Sequence, residues 1–239
     1  MPFTVEQFLN VFVVYNTVIW PMQFGLVAIA MFVILTAFKP GKRSSRLITV
    51  LLSFLWFWAG IVYHLGFFRH INEIATIFGA LFIIQAVLLL YVGVIRGDLR
   101  YQPRLDLSGV VGAFLVLYAI IVYPELAYVT GHKYPGAPTF GTPCPLTVFT
   151  FGILLWADGL ARWFLLGIPL LWSLTGVAAV WHLGMLEDIL LPLGGLISFS
   201  VIMWHSRHRQ ESNSSSLGGF QRLVDPEGPP NSRGARVGT

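Results

Sequence analysis

The chain has 239 residues, 56% hydrophobic, 15% aromatic and only 11% charged, with a mean hydropathy of +0.73. Soluble domains carry about a quarter charged residues, so a single water-bathed core is excluded as a home for this much apolar side chain. The net charge of +4 is spread through short loops rather than gathered among aromatics, which argues against a nucleic-acid surface, and one cysteine excludes an intramolecular disulfide or a cysteine-only metal cage.

Residues 1–17 lack a basic leader and a small-residue cleavage site, so they do not read as a removable signal peptide. Phe3, Phe8, Val11, Phe12 and Tyr15 fall near helical spacing, with Glu6, Gln7 and Asn10 between them. Thr4 followed by Gln7 fits a capping box. This pattern predicts a short amphipathic helix lying at a membrane surface.

Seven apolar segments follow, at about 18–38, 47–68, 74–95, 107–129, 145–157, 163–183 and 189–204. A spanning helix needs about 20 mostly apolar residues. Pro21 falls in the first turn of the first segment, and Pro124 is expected to kink the last turns of the fourth. The fifth is short enough to be a re-entrant half-helix by length alone. Charge argues for a full crossing. With seven crossings, thirteen of the fifteen Lys and Arg, from Lys39 to Arg236, share one side, and only Arg69 and Lys133 remain on the other. The positive-inside rule makes the rich side cytoplasmic, with the N-terminus outside and the C-terminus inside. Residues 206–239 are rich in Ser, Gly, Pro and Arg, and they read as a disordered cytoplasmic tail. The expected organisation is therefore an all-α integral membrane bundle of about seven transmembrane helices over residues 18–205, with the interfacial helix before it and the tail after it.

Residues 131–150 read GHKYPGAPTFGTPCPLTVFT, with four prolines, three glycines, His132 and the lone Cys144. Prolines at this density forbid a helix through most of it. Tyr134 and Phe140 give it apolar surface to pack, so a structured loop over one end of the bundle is expected. Pro145 suits the first helical position of the fifth segment, which would leave Cys144 as its cap.

The topology gathers reactive groups at the outer end. His64, His132, Cys144 and His182 are candidate ligands for a transition metal such as zinc or copper. Arg69, His70, Glu73, Glu125, Tyr134, Glu187 and Asp188 are candidate ligand-binding residues. No HxxxH or HExxH pair presets two ligands on one helix face. Mid-depth positions hold only Gln23, Gln85 and hydroxyls such as Ser173 and Thr175, which is poor in the ionisable groups an ion-coupled carrier needs.

Three stretches carry a resemblance: FKPGKRSSRL after the first segment, YHLGFFRHIN after the second, and GHKYPGAPTFGTPCPLTVFTFG. Together they resemble an uncharacterised family of bacterial polytopic inner-membrane proteins, a domain of unknown function, over Met1 to about Trp204. That resemblance implies a seven-helix inner-membrane protein and brings no functional residues. The Tyr63–His64 pair is also similar to one in the membrane hydrolases related to alkaline ceramidases and haemolysin III. Those have a serine where this chain has Gly60, and a later HxxxH where it has His182 alone.

The sequence thus leads to a small-ligand or metal site at the outer end of the bundle beneath residues 131–144. A permease-like passage for a small solute, a membrane-embedded metal-dependent hydrolase, and a structural or partner-binding role are the alternatives.

Overall fold

A computed structural model describes residues 2–205, and the expected tail at 206–239 lies outside them. The chain is mostly helical. Helix α1 (Val5–Val18) opens with the expected capping box: Gln7 N–H donates to the Thr4 hydroxyl, and the Gln7 side chain accepts from Thr4 N–H. It buries Val11, Phe12, Tyr15 and Asn16 against the bundle, while its remaining face is mostly exposed.

The first long segment does not begin at 18. α1 ends at Val18, and α2 (Met22–Ala37) starts after Pro21, bent 88° from α1. Pro21 cannot donate the amide bond that would carry α1 onward. α3 (Lys42–Trp58) widens into a π-helical stretch, Ala59–Phe67, that carries Tyr63 and His64. α4 (Ala75–Leu90) ends in a similar wide turn, Tyr91–Ile95. α5 (Leu107–Leu117), capped by the Asp106 side chain, passes through the wide turn Tyr118–Val122 into α6 (Tyr123–Val129). Pro124 sits just after that turn. The i→i+5 bonding of the π turn accommodates an amide that proline lacks, so the expected kink takes the form of a π-bulge.

α7 (Pro143–Leu155) is almost wholly buried. Its thirteen residues rise about 20 Å, short of a 30 Å hydrocarbon core. A two-residue strand, β2 (Ala157–Asp158), pairs antiparallel with β1 (Arg100–Tyr101). α8 (Gly167–Leu183) stops at Gly184, which takes the left-handed conformation that glycine tolerates (φ 70°). The last helical run, α9 (Leu186–His205), opens with a tight 3-10 turn through Glu187 and Asp188.

Five helical runs are long and apolar enough to cross a membrane: Lys42–His70, Ala75–Ile95, Leu107–Val129, Ala161–Leu183 and Leu186–His205. The bent pair α1–α2 makes a sixth if it counts as one span. Phe24, Phe32, Leu35, Ile77, Val110, Leu174 and Leu196 are all at least half exposed. Outward faces this apolar are compatible with a membrane-embedded bundle.

Two close approaches knit the bundle. A Cβ on Gly112 would lie 2.8 Å from the Gly152 carbonyl, and one on Gly152 would lie 2.7 Å from that of Gly112. α5 and α7 therefore cross backbone on backbone, as small residues permit in membrane bundles. They run antiparallel, since Trp156 Nε1, past the end of α7, donates to Gly109 O near the start of α5. Gly60 and Gly79 play the same part where the π-helical stretch Ala59–Phe67 meets α4: a Cβ on Gly60 would stand 3.0 Å from the Gly79 carbonyl. The position where the hydrolases have a serine is here a packing contact.

The connections sort to two ends. At one, Tyr101 N donates to Ser45 Oγ, and Arg104 pairs with Asp158. At the other lie residues 131–142, the wide turn with Tyr63 and His64, and Glu187 and Asp188 at the start of α9.

Candidate functional site

Residues 131–142 form an ordered connection. Asn16, buried on the inner face of α1, fixes them. Its Nδ2 donates to Pro135 O (2.7 Å) and Ala137 O (2.8 Å), and its Oδ1 accepts from the Thr139 hydroxyl (2.7 Å). Gln23 Nε2 donates to Asn16 O in turn. Gly131 and Gly141 hold positive φ (100° and 101°). Gly141 also lies against Leu26, so a side chain there is opposed by both strain and space.

Two carboxylates next to one another in sequence face different partners. Glu187 is fully buried, and its Oε1 is 2.8 Å from His132 Nδ1, with the Thr130 hydroxyl 3.4 Å from Oε2. The Tyr118 hydroxyl donates to the Glu187 carbonyl. Asp188 is 2% exposed, and its Oδ1 accepts a 2.6 Å hydrogen bond from the Tyr123 hydroxyl. The Cys144 thiol lies within interaction range of the same carboxyl. Cys144 is not the cap of α7, as expected from sequence. The helix starts two residues earlier than expected, at Pro143, with Thr142 as its N-cap, and Cys144 sits inside the first turn.

Asp188 borders a cavity of about 220 Å³. Its walls are chiefly aromatic, with Phe3, Phe8 and Phe12 from the N-terminal segment facing Tyr63, Phe68 and Phe78. Trp172 and Thr175 of α8 and Cys144 with Thr142 complete it. The roof is therefore α1 as much as the loop, of which only Pro138 and 142–144 contribute. The Trp172 indole N–H is buried and makes no regular hydrogen bond, with the Cys144 thiol within interaction range. A wider cleft of about 540 Å³ lies on the other side of Tyr123 and Pro138, bordered by Glu125, His132 and Tyr134.

His64 lies behind the aromatic wall. It is fully buried among Phe82, Trp172, Phe68 and Phe78, with ring centroids 4.7 Å from Phe82 and 5.0 Å from Trp172. Neither ring nitrogen has a partner. His182 is exposed at the end of α8. Among the described residues, no group of three or more His, Cys, Asp and Glu side chains is close enough to hold a metal ion. The expected shell of His64, His132, Cys144 and His182 is thus not assembled. The four come from separate segments, and the fold pairs His132 with Glu187 and Cys144 with Asp188 instead.

Of the other candidates, Glu187 and Asp188 are drawn into the interior. Arg69, His70, Glu73 and Glu125 are exposed, and Tyr134 is half exposed with its hydroxyl 3.4 Å from Asn16 O. On the expected passage through Gln85 and Ser173, Gln85 Nε2 donates to Leu165 O and Ser173 Oγ to Leu170 O, while Gln85 Oε1 is buried without a hydrogen-bond partner. Sequence reasoning missed Tyr123, Trp172 and Asn16. Asn16 alone had a signal, a polar residue interrupting the apolar stripe of α1.

No curated protein and no solved structure matches the chain. Residues 5–213 match the family of unknown function DUF6064, and the chain belongs to that family.

Proposed function

We propose that this protein is a membrane-embedded small-ligand-binding protein whose site is the aromatic cavity beside Asp188. The observation that carries this reading is a buried carboxyl bordering a largely apolar, aromatic-walled cavity at one end of a helical bundle. Ligand sites are mostly apolar and concave, with a few convergent polar groups. A buried ionisable residue in a membrane bundle marks function by default, because it is costly to place there.

The setting we infer is a bacterial inner membrane crossed seven times. α2 through α9, with α7 as the short buried member, alternate between the two ends, and the end holding Arg100, Arg104 and Asp158 faces the cytoplasm. Lys39, Lys42, Arg43 and Arg46 flank the start of α3 near that end, which supports this direction. The right angle between α1 and α2 supports α1 lying in the bilayer surface.

The test is ligand-induced stabilisation of the purified protein. A ligand at about a hundred times its Kd adds about 2.7 kcal/mol of stability. Ala178 lines the cavity, so Ala178→Phe fills it. Compounds that raise the unfolding temperature of the wild type are expected to lose that effect in Ala178→Phe. A library of cations, anions and neutral molecules that shifts neither protein, or shifts both equally, overturns the proposal.

A further inference from the structure

The geometry points to a small organic ammonium ion, carrying an apolar or aromatic body, as the ligand of the Asp188 cavity. This inference rests on the binding reading above and adds the chemical class.

Charge comes first. Asp188 borders the cavity, and among the described residues its carboxyl has Tyr123 and Cys144 as side-chain partners, both neutral hydrogen-bonding groups rather than cations. Among the described residues lining the cavity, none is lysine, arginine or histidine. Of the basic side chains at this end, His132 is turned to Glu187 and His64 is packed behind the rings of Phe68, Phe78 and Trp172. A carboxyl removed from water either keeps its proton or is completed as a carboxylate by a cation. A ligand cation supplies that missing partner, whereas a ligand anion meets the carboxylate unshielded.

The walls make the same selection. Phe3, Phe8, Phe12, Tyr63, Phe68, Phe78 and Trp172 present ring surface to the space. The faces of aromatic rings carry negative potential and attract ammonium groups, most strongly where water is excluded. Several rings beside one carboxylate is the arrangement that recognises alkylammonium ions. The Trp172 N–H, which has only the weakly accepting Cys144 sulfur within interaction range, adds a donor for an oxygen on the same ligand.

Size limits the body. An apolar cavity of about 150 Å³ takes up benzene. The present cavity, at about 220 Å³, holds one ring with a short amine arm, or an alkylammonium of similar bulk. Such an ammonium reaches the site either as a free amine or as the headgroup of an aminophospholipid.

The experiment compares benzylamine, benzyl alcohol and benzoate, similar in size and different in charge. Binding is measured calorimetrically on the protein in nanodiscs of phosphatidylglycerol, near neutral pH. Benzylammonium is expected to bind the wild type about tenfold or more tighter than benzyl alcohol, as a charge-assisted hydrogen bond to a buried carboxylate implies, with benzoate weakest. Asp188→Asn is expected to erase the preference for the amine while benzyl alcohol still binds. Benzyl alcohol binding wild type as tightly as benzylamine overturns the ammonium assignment and leaves the cavity reading standing. Binding by none of the three overturns both. The preference within the wild type decides the matter even if Asp188→Asn fails to fold. Repeating the titration with phosphatidylethanolamine in the disc separates the two sources: weaker benzylamine binding there assigns the ammonium to the lipid headgroup, and unchanged binding assigns it to a free amine.

Discussion

His132 Nδ1 stands 2.8 Å from Glu187 Oε1, joining the loop after α6 to the first turn of α9 across 55 residues of sequence. The Glu187 side chain is entirely out of solvent, and that of His132 is 13% exposed. Removing one partner of such a pair strands the other, which costs about 3–5 kcal/mol when burial is complete. For His132→Ala the expected loss is about 3 kcal/mol, at the lower end because His132 touches water. Glu187→Gln is expected to cost less, since an amide still bonds to the imidazole. Thermal unfolding of both single variants and the double variant checks this, and purely additive effects would contradict a direct coupling.

Asn16 spends three hydrogen bonds on residues 135–139. Each such bond is worth about 1 kcal/mol net, and unpaired buried carbonyls add to the loss. Asn16→Ala is therefore expected to loosen 131–142 selectively. Amide hydrogen exchange will rise about tenfold or more across those residues, with α4 and α5 unchanged. Uniformly faster exchange across the whole bundle would mean that Asn16 supports the fold globally rather than the loop.

The Gly112–Gly152 crossing leaves no room for a side chain. Gly152→Val forces α5 and α7 apart and is expected to destabilise by about 1–3 kcal/mol, the cost of overpacking, or to abolish expression. Gly41, whose Cβ would meet nothing within 4 Å, is the matched control. Gly41→Ala should leave the unfolding midpoint almost unchanged. Equal midpoints for the two variants would refute the close approach.

Tyr101 lies outside the long apolar helices and is 1% exposed, its hydroxyl 3.4 Å from Thr49 Oγ1. Burial pushes its phenol up from 10.0 to about 12. The folded state then keeps a proton that the unfolded state loses, so this contribution is whole below pH 10.0 and drains away as pH rises to about 12. The decline attributable to Tyr101 is about 2–3 kcal/mol, from two pH units at about 1.4 kcal/mol each. Tyr101→Phe should flatten the alkaline limb of a stability–pH profile, and an unchanged limb would show that other groups control it.

The sequence made some of this legible and hid the rest for definable reasons. The capping box of α1 was readable because Thr4 and Gln7 are local. The long apolar runs were readable from hydropathy, as was the concentration of His132, Cys144, Glu187 and Asp188 at one end. Partner choice was not. His132 with Glu187 and Tyr123 with Asp188 are pairings across 55 and 65 residues, and no periodicity within either segment encodes them. The π-helical turns were also hidden. They rotate Tyr63, His64 and Tyr123 off the faces that a regular 3.6-residue repeat assigns to them. The length of α2 was misjudged because apolar residues dominate 18–38, and the chain nevertheless corners at Pro21.

The placement of Pro2 and Phe3 at the cavity wall bears on how the protein is handled at the bench. A purification handle or fluorescent fusion attached ahead of Val5 would crowd the very aromatic rings that frame the opening, and a blocked site would masquerade as an inactive preparation.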